Sequence, residues 1–529
     1  MRDTDEHTHL EDHRTGHDHT HGTSEQLVGR RSLLKAAAAA AALAALPSQA
    51  LARPLDREIG TSRVSRLGRR QRLAYGDLHN HTQLSDAAGD PSLAYDAMFR
   101  SGVDIAALTD HTVAAISGGV PALCTFVPSP PFGDRDPCTS TLGVDRPGFE
   151  QTAEFADGAD LPGRFTSIRG FEWSSPYLGH LNVWFSQDVT DPLATGGLTA
   201  EGLERIGITI EALRALLGPL LQLPGGEELI ERIEASGPDG MAGFYEWMLR
   251  SPSSALGGGS DAIAGFNHPN REPEYFDAFA YDPRVRSRMV SMEIINRRED
   301  YLFKNWDRGL PSPLVACLDA GWHVGLTGVT DEHGTDWGEP EGKGRTGMYV
   351  DHLDRDGVFA AMRSREVFAT RERGLRLDAG TNGNTRMGQF VPGRARRLAI
   401  ELDLEWGAER AGMPLEVQVL TSGEDVPEVV HVEPVVVPAP GERRPIRFTA
   451  PVDPNATSWA VLRIADPSRP NDAPGPDGHP CNNFAVGYAS PFYLAGARPR
   501  RSSGPRRRRH GWVDGEALLM GPHEAIAGS

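Results

Sequence analysis

Short apolar runs that stop at a histidine or a carboxylate recur between residues 73 and 333, and no other feature restricts the possible folds of this chain so strongly. "GDLHNHTQLSD" leads to His79, His81 and Asp86, and "ALTDHT" to Asp110 and His111. "IRGFEWSS" carries Glu172, and "LGHLNVWF" opens with His180. "GFNHP" stops at His268, and "GLTGVTDEHG" at Asp331 and His333. Buried strands alternating with helical patterns predict parallel strands joined by helices. Polar residues at equivalent strand ends then meet on one face, where α/β barrels build their sites. In the H-x-H segment, positions i and i+2 of a strand face the same way, so His79 and His81 could chelate one ion.

Strands are predicted at Leu73–His81, Val103–Thr109, Phe165–Phe171, Leu181–Phe185, Ala262–Asn267, Ser291–Ile295 and His323–Thr330. Helical patterns cover Ser92–Ser101, Ile208–Leu217, Glu227–Ser236 and Pro311–Ala320. Seven strands predict an α/β fold, a small or distorted barrel over residues 73–373, interrupted by a mostly helical insertion at about 188–259. From about Gly374 the pattern changes. "RRLAIELDLEW", "PLEVQVLT", "RPIRFTAPV" and "SWAVLRIAD" alternate apolar and polar residues between Pro/Gly turns, which predicts a C-terminal antiparallel β-sandwich over 374–496. With 529 residues, 39% of them hydrophobic, the chain can bury both cores.

The N-terminus reads as an address. A tract with His7, His9, His13, His17, His19 and His21 precedes "GRRSLLKAAAAAAALAALPSQALA", whose paired Arg30 and Arg31, short apolar stretch and Ala50-Leu51-Ala52 form a twin-arginine export signal over residues 1–52. That predicts the twin-arginine machinery as a partner and a periplasmic or extracellular location. The His-rich tract would bind metal loosely at most and leave with the signal. Residues 53–72 are expected to be a basic linker, and 497–529 a disordered Arg-rich tail. No later segment is long and apolar enough for a membrane helix. A net charge of −18 argues against nucleic acid as a partner. The four cysteines lack C-x-x-C spacing, which disfavours a thiolate zinc site. Cys124 and Cys138 flank a Pro-rich excursion and could close it if exported, whereas Cys317 is expected to be a buried thiol.

H-x-H followed by S-D, T-D-H, G-x-E, G-H, N-H-P and D-x-H, in this order, resembles the PHP (polymerase and histidinol phosphatase) superfamily of metallohydrolases. "GDLHNHT", "GFEWSS" with "GHLNV", "MEIIN" and "LDAGWHVGLTGVTDEHG" are similar to its carbaryl-hydrolase-like (CehA/McbA type) members, over about Tyr75 to Thr370. The resemblance implies a distorted (β/α)7 barrel holding two or three divalent ions. His79, His81, Glu172 and Asp331 would hold the first, and Glu172 would bridge to a second with His180 and His268. Asp86, His111 and His333 would hold the third, although Asp86 could instead be a turn residue or a helix cap.

Imidazole and carboxylate ligands without thiolate suit Zn, Mn or Fe. Ions in such a site would generate a bridging hydroxide and polarise a carbonyl or phosphoryl oxygen, giving hydrolysis without a side-chain nucleophile. Neither a G-x-S-x-G elbow nor a P-loop is present. Glu172, Asp331 and His333 are the candidate catalytic residues, joined by Arg345 as a cation for a developing oxyanion or leaving group. Asp77 and Asp110 either orient ligand imidazoles or solvate strand ends and cap helices. Trp337 and Lys343 lie on a Gly-rich segment that could form a flap, Arg271 and Asn296 are possible substrate contacts, and His323 is expected at the opposite end as a structural residue. The expected substrate is a small carboxyl ester, carbamate, amide or phosphoester. A PHP-type phosphodiesterase or phosphatase is the alternative within this class, and a non-catalytic, metal-stabilised cell-surface binding protein the alternative outside it.

Overall fold

The computed structural model describes residues 62–114, 143–217, 226–338, 342–442 and 444–495. The leader, Cys124, Cys138 and the Arg-rich tail lie outside the described residues.

Strand β1 (Arg72–Asp77) pairs in parallel with β2 (Ile105–Leu108), and β2 with β4 (Thr166–Ser175). The two-residue β3 (His111–Thr112) extends the β4 pairing. β5 (Gly179–Trp184) runs antiparallel to both β4 and β6 (Ile263–Phe266), which corrects the expectation of an all-parallel arrangement. β6 is parallel to β7 (Met289–Asn296), and β7 to β9 (Gly325–Val329). A parallel bridge between Asn80 and Glu332 then links the segments just beyond β9 and β1. The reversal at β5 has a local cause: only Pro176–Leu178 separate it from β4, too few residues for a parallel crossover. β2 and β6 are buried at every position, as strands covered on both faces must be.

Helix α1 (Pro91–Arg100) starts on Pro91, with the Asp90 carboxylate accepting from Ser92 N. Its Ala94, Tyr95, Met98 and Phe99 lie on one face and pack with Val103, Phe165 and Trp337. The insertion contributes helices at Pro192–Thr195, Ala200–Arg205, Ile210–Leu217, Gly226–Glu234 and Ala242–Leu249. It buries Phe244 and Trp247 against Trp173 and Phe171, the residues on either side of Glu172. The insertion therefore clamps the strand that carries the central carboxylate. No described helix is long and apolar enough to cross a membrane.

Beyond residue 374 the strands form two antiparallel groups. One is a separate four-stranded sheet of β12 (Arg376–Thr381), β13 (Thr385–Arg386), β15 (Arg397–Glu405) and β18 (Ile446–Pro451). The other contains β16 (Pro414–Thr421), β17 (Glu428–Val436), β19 (Trp459–Pro470) and β20 (Asn483–Ala489). This second group is not detached: β20 pairs with β11 (Val367–Thr370), β11 with β10 (Arg345–Val350), and β10 with β1. Leu73, Tyr75, Tyr349 and Phe368 accordingly share one core with Leu402, Val417 and Leu462.

The expected basic linker is also corrected over its described part. Arg63 pairs with Asp104 at 2.5 Å, Arg66 with Asp403 and Glu405 at 3.3 and 2.5 Å, and Arg69 with Glu366 and Asp378, both at 2.7 Å. Arg376, fully buried, joins the same carboxylates at 2.9 Å. The basic residues at 63–69 tie this segment to Asp104 and to carboxylates between residues 366 and 405, because buried carboxylates need cationic partners.

Candidate metal centre

The strand ends deliver their polar residues to one place. β1 stops at Asp77, but Asp331 N donates to His79 O (3.0 Å) and His81 N to Glu332 O (2.9 Å), which keeps the segment extended. His79 and His81 thus project together, with Nε2 atoms 3.0 Å apart. His111 opens β3 in register with Glu172 on β4, while His180 sits on β5 opposite Ser174. His268 and Asp331 follow β6 and β9 with φ of 24° and 48°, values that non-glycine residues adopt at a cost and that collect at functional sites. His268 N is held there by Glu293 Oε2 at 2.8 Å.

Glu172 is the hub. Its Oε1 lies 3.1 Å from His79 Nε2, 3.3 Å from His268 Nε2 and 3.3 Å from His180 Nδ1, and it accepts from Asn267 Nδ2 at 2.6 Å. Its Oε2 lies 2.6 Å from His111 Nδ1 and 3.6 Å from His81 Nε2. Asp331 Oδ1 approaches His79, His81 and His333 at 3.4, 3.2 and 3.5 Å. Asp86 Oδ1 is 3.6 Å from both His111 Nε2 and His333 Nε2. Asp90 caps the neighbouring helix, which leaves Asp86 with no capping role there.

These residues form overlapping groups of ligand-type atoms: His81, Asp86, His111 and His333; His79, His81 and Asp331; His79, Glu172 and His268; His111, Glu172 and His180; and His180, His268 and Glu272. Oxygen and imidazole ligands bound about 2.0–2.2 Å from one tetrahedral ion lie roughly 3.3–3.6 Å from each other. The separations above cluster near that range. Asp86 Oδ1 and Asp331 Oδ1 are buried without a hydrogen bond of good geometry, an arrangement that is costly unless a cation satisfies it. By donor type, spacing and these orphaned atoms, the residues fit a cluster of divalent ions.

In the protein alone the imidazoles divide: neighbouring carboxylates raise His79, His111 and His268 against burial, whereas burial lowers His180. Burial would raise the Glu172 carboxyl, yet His111, His79 and His180 hold it well below the usual carboxylate range. Asp331 is likewise lowered against burial, by Arg297 and His79. Burial and the neighbouring His111 push His81 down, so its imidazole stays neutral and able to ligate.

Several expected roles are reassigned. Asp77 bonds to Thr330 N and Oγ1, and Asp110 to Thr82 and Ser85; neither reaches a ligand imidazole through these bonds. The orienting carboxylate of His79 is instead Glu293, 2.8 Å from Nδ1, itself held by Asn296 at 2.8 Å. Arg345, expected as a catalytic cation, is buried at the start of β10, bonds to Gly338 O and has Asp77 and Tyr75 as neighbours; burial lowers its pKa to about 10. Lys343 pairs with Glu332. Trp337 is a core residue whose indole N–H donates to His81 O at 3.0 Å, which fixes the metal-binding loop and corrects its reading as a flap contact. His323 packs against Phe390 and Tyr493, and Cys317 is a buried thiol.

The cations at the centre are Arg271 and Arg297, each 3.3 Å from Asp331 Oδ2 and about a third exposed. Arg297 and Glu272 were not legible as site residues. Arg297 follows "EIIN" and Glu272 lies within "NHPNREP", so adjacency to ligand-bearing strand ends was the only available signal.

No protein-family model and no curated protein matches the sequence. In structure the chain is similar to a two-domain protein from Bacteroides vulgatus containing a predicted PHP-like metal-dependent phosphoesterase, with 12% identity and TM-score 0.33 over 80% of this chain and 96% of that one. It is also similar to a protein from Bifidobacterium adolescentis described as a metal-dependent phosphoesterase, with 14% identity and TM-score 0.25 over 49% and 88% of the two chains. A third is an amidohydrolase from Chromobacterium violaceum with bound sulfate and no metal, with 16% identity and TM-score 0.22 over 49% and 87%. At these TM-scores the functional reading rests on the side chains themselves.

Proposed function

We propose that this chain is an exported metal-dependent hydrolase of the PHP superfamily that cleaves a phosphoester, with a phosphodiester preferred over a highly charged monoester. The observation that carries the reading is the convergence of four imidazoles on the two oxygens of buried Glu172, with Asp331 and Asp86 closing the adjacent groups. Divalent ions held there would supply Lewis-acid polarisation of the scissile group and acidify water near neutral pH. His79, His81, Glu172 and Asp331 would hold one ion, His180 and His268 with Glu172 a second, and Asp86, His111 and His333 a third.

The chain's own residues supply the rest. Glu293 and Asn296 keep His79 aimed at Glu172. Arg271 and Arg297 neutralise the outer oxygen of Asp331. Two guanidiniums beside the ligand groups favour an anionic ester over a neutral one. A carbamate or carboxyl ester, as in the carbaryl-hydrolase-like members, is the second reading, supported by the ordered sequence motifs. We read the parallel and antiparallel run from β1 to β9 as the distorted barrel, and the strands beyond 374 as a sandwich that shares strands with it. The paired Arg30 and Arg31 support twin-arginine export, which a double lysine substitution and cell fractionation would test.

The deciding experiment measures bound metal and turnover of a chromogenic phosphodiester, phosphomonoester and carboxyl ester, for the unaltered protein and for Glu172→Gln. Two or three equivalents and chelator-sensitive phosphodiester cleavage are expected, with turnover falling by about 100-fold or more in the variant. Less than one equivalent, and no turnover after Mn or Zn is restored, would overturn the reading in favour of a binding protein.

A further inference from the structure

The imidazoles of His180 and His268 each lie between two carboxylates, and they do so in opposite senses. His180 turns Nδ1 to Glu172 Oε1 (3.3 Å) and Nε2 to Glu272 Oε1 (3.8 Å). His268 turns Nε2 to Glu172 Oε1 (3.3 Å) and Nδ1 to Glu272 Oε2 (3.6 Å). Glu272 therefore offers one oxygen to the outer nitrogen of each ring. The separations are longer than a hydrogen bond, so Glu272 faces both outer nitrogens without bonding to either in the absence of metal. The ring planes lie 74° apart, so both edges can face the two carboxylates at once.

Arg271, the preceding residue, ties this arrangement to the rest of the centre. Its Nε donates to Glu272 Oε1 at 3.0 Å, and its Nη1 donates to Asp331 Oδ2 at 3.3 Å. The chain of contacts thus runs from the His180–His268 pair through Glu272 and Arg271 to Asp331. Glu272 is nearly buried, and a buried carboxylate that faces two imidazole edges and a guanidinium must be satisfied by their protons or by a cation.

We propose, resting on the metal-dependent reading above, that Glu272 is a positioning residue: one carboxylate that accepts from the outer N–H of both His180 and His268 and so selects opposite tautomers for them. His180 carries its proton on Nε2 and presents Nδ1 to the centre, whereas His268 carries its proton on Nδ1 and presents Nε2. An outer carboxylate of this kind fixes ring orientation and raises ligand basicity, and its loss typically costs about 10–100-fold in metal affinity. Sharing one carboxylate between two ligands makes the pair respond together.

The test uses the full zinc-loaded chain. Nitrogen-resolved NMR of the imidazoles is expected to find the proton of His180 on Nε2 and that of His268 on Nδ1. In Glu272→Gln, competition against a chelating dye is expected to show unchanged metal stoichiometry, with one equivalent weakened about 10–100-fold. Glu272→Asp should recover part of that loss, which a general folding defect would not allow, and metal-free melting temperatures check that the variants fold. The reverse tautomers, or unchanged affinity in Glu272→Gln, would overturn the proposal. Loss of one whole equivalent with the others unweakened would also overturn it, by making Glu272 a direct ligand of its own ion. If the unaltered protein bound no zinc, the metal-dependent reading would fail first and this inference with it.

Discussion

His79 and His81 face each other Nε2 to Nε2 at 3.0 Å, with Asp331 Oδ1 at 3.4 and 3.2 Å from the same two atoms. With its Nδ1–H directed at Glu293, His79 turns its Nε2 lone pair toward His81 and toward the Glu172 and Asp331 oxygens, an electron-rich pocket that a cation would satisfy. Metal should therefore bind the folded state selectively. Zinc or manganese at about 1,000 times its dissociation constant is expected to add about 4 kcal/mol of stability per site. A melting temperature that rises with metal and falls with chelator supports this, and one indifferent to both refutes it.

Arg297 stands 3.3 Å from Asp331 Oδ2 and 3.2 Å from His333 Nδ1. If its positive charge attracts an anionic substrate, Arg297→Ala should raise KM for a chromogenic phosphodiester by about 10–100-fold, the worth of a charge-assisted interaction. A neutral carboxyl ester should be much less affected. Equal losses on both substrates, with metal content retained, would assign Arg297 to Asp331 alone.

His323 provides a pH probe outside the metal centre. Burial, with Arg286 and Arg365 nearby, depresses its pKa to about 4. A histidine depressed on folding contributes stability above its unfolded pKa of about 6.5 and loses that contribution as pH falls toward its folded value. The ring is partly exposed, so the expected contribution is on the order of 1–2 kcal/mol. Urea unfolding at pH 7 and pH 4.5 should show a smaller acid loss for His323→Asn than for the unaltered protein. Identical losses would mean that the ring does not titrate differently on folding.

Arg376 is fully buried between Asp403 and Glu405, both at 2.9 Å. Removing a buried guanidinium leaves charge uncompensated, so Arg376→Ala should cost about 3–5 kcal/mol, lessened by the remaining Arg66 pair. Chemical denaturation measures the loss. A change below about 1 kcal/mol would show that the arginines at 63–69 alone satisfy these carboxylates.

Much of the framework was legible because local patterns report burial. The runs at 103–109, 262–267 and 323–330 contain β2, β6 and β9, and "PLEVQVLT" coincides with β16. Helix α2 (Arg146–Ala159) and helix α4 (Arg355–Ser364), with α3 (Pro313–Ala320) between them in the chain, show the limit. α3 was legible as an apolar run. α2 and α4 are polar overall and carry a glycine near their start, so no apolar run marked them even though their buried residues share one face. β12 is buried at all six positions, Arg376 and Asp378 included, so its polar–apolar pattern does not report its burial.

By itself the sequence determined the residue types of the centre, because histidines and carboxylates at the ends of apolar runs are costly unless they act together. It also determined the helical insertion and the change of pattern near Gly374. Only the tertiary structure decided that β5 runs antiparallel, that β20 joins β11, and that the arginines at 63–69 pair with Asp104, Asp378 and Glu405. It likewise placed Glu293, Arg297 and Glu272 beside the candidate ligands, together with Arg271, which the sequence had offered as a contact. The reason is physical: alternation and run length record whether a side chain is buried, whereas its partner across tens or hundreds of residues is set by how the strands are paired.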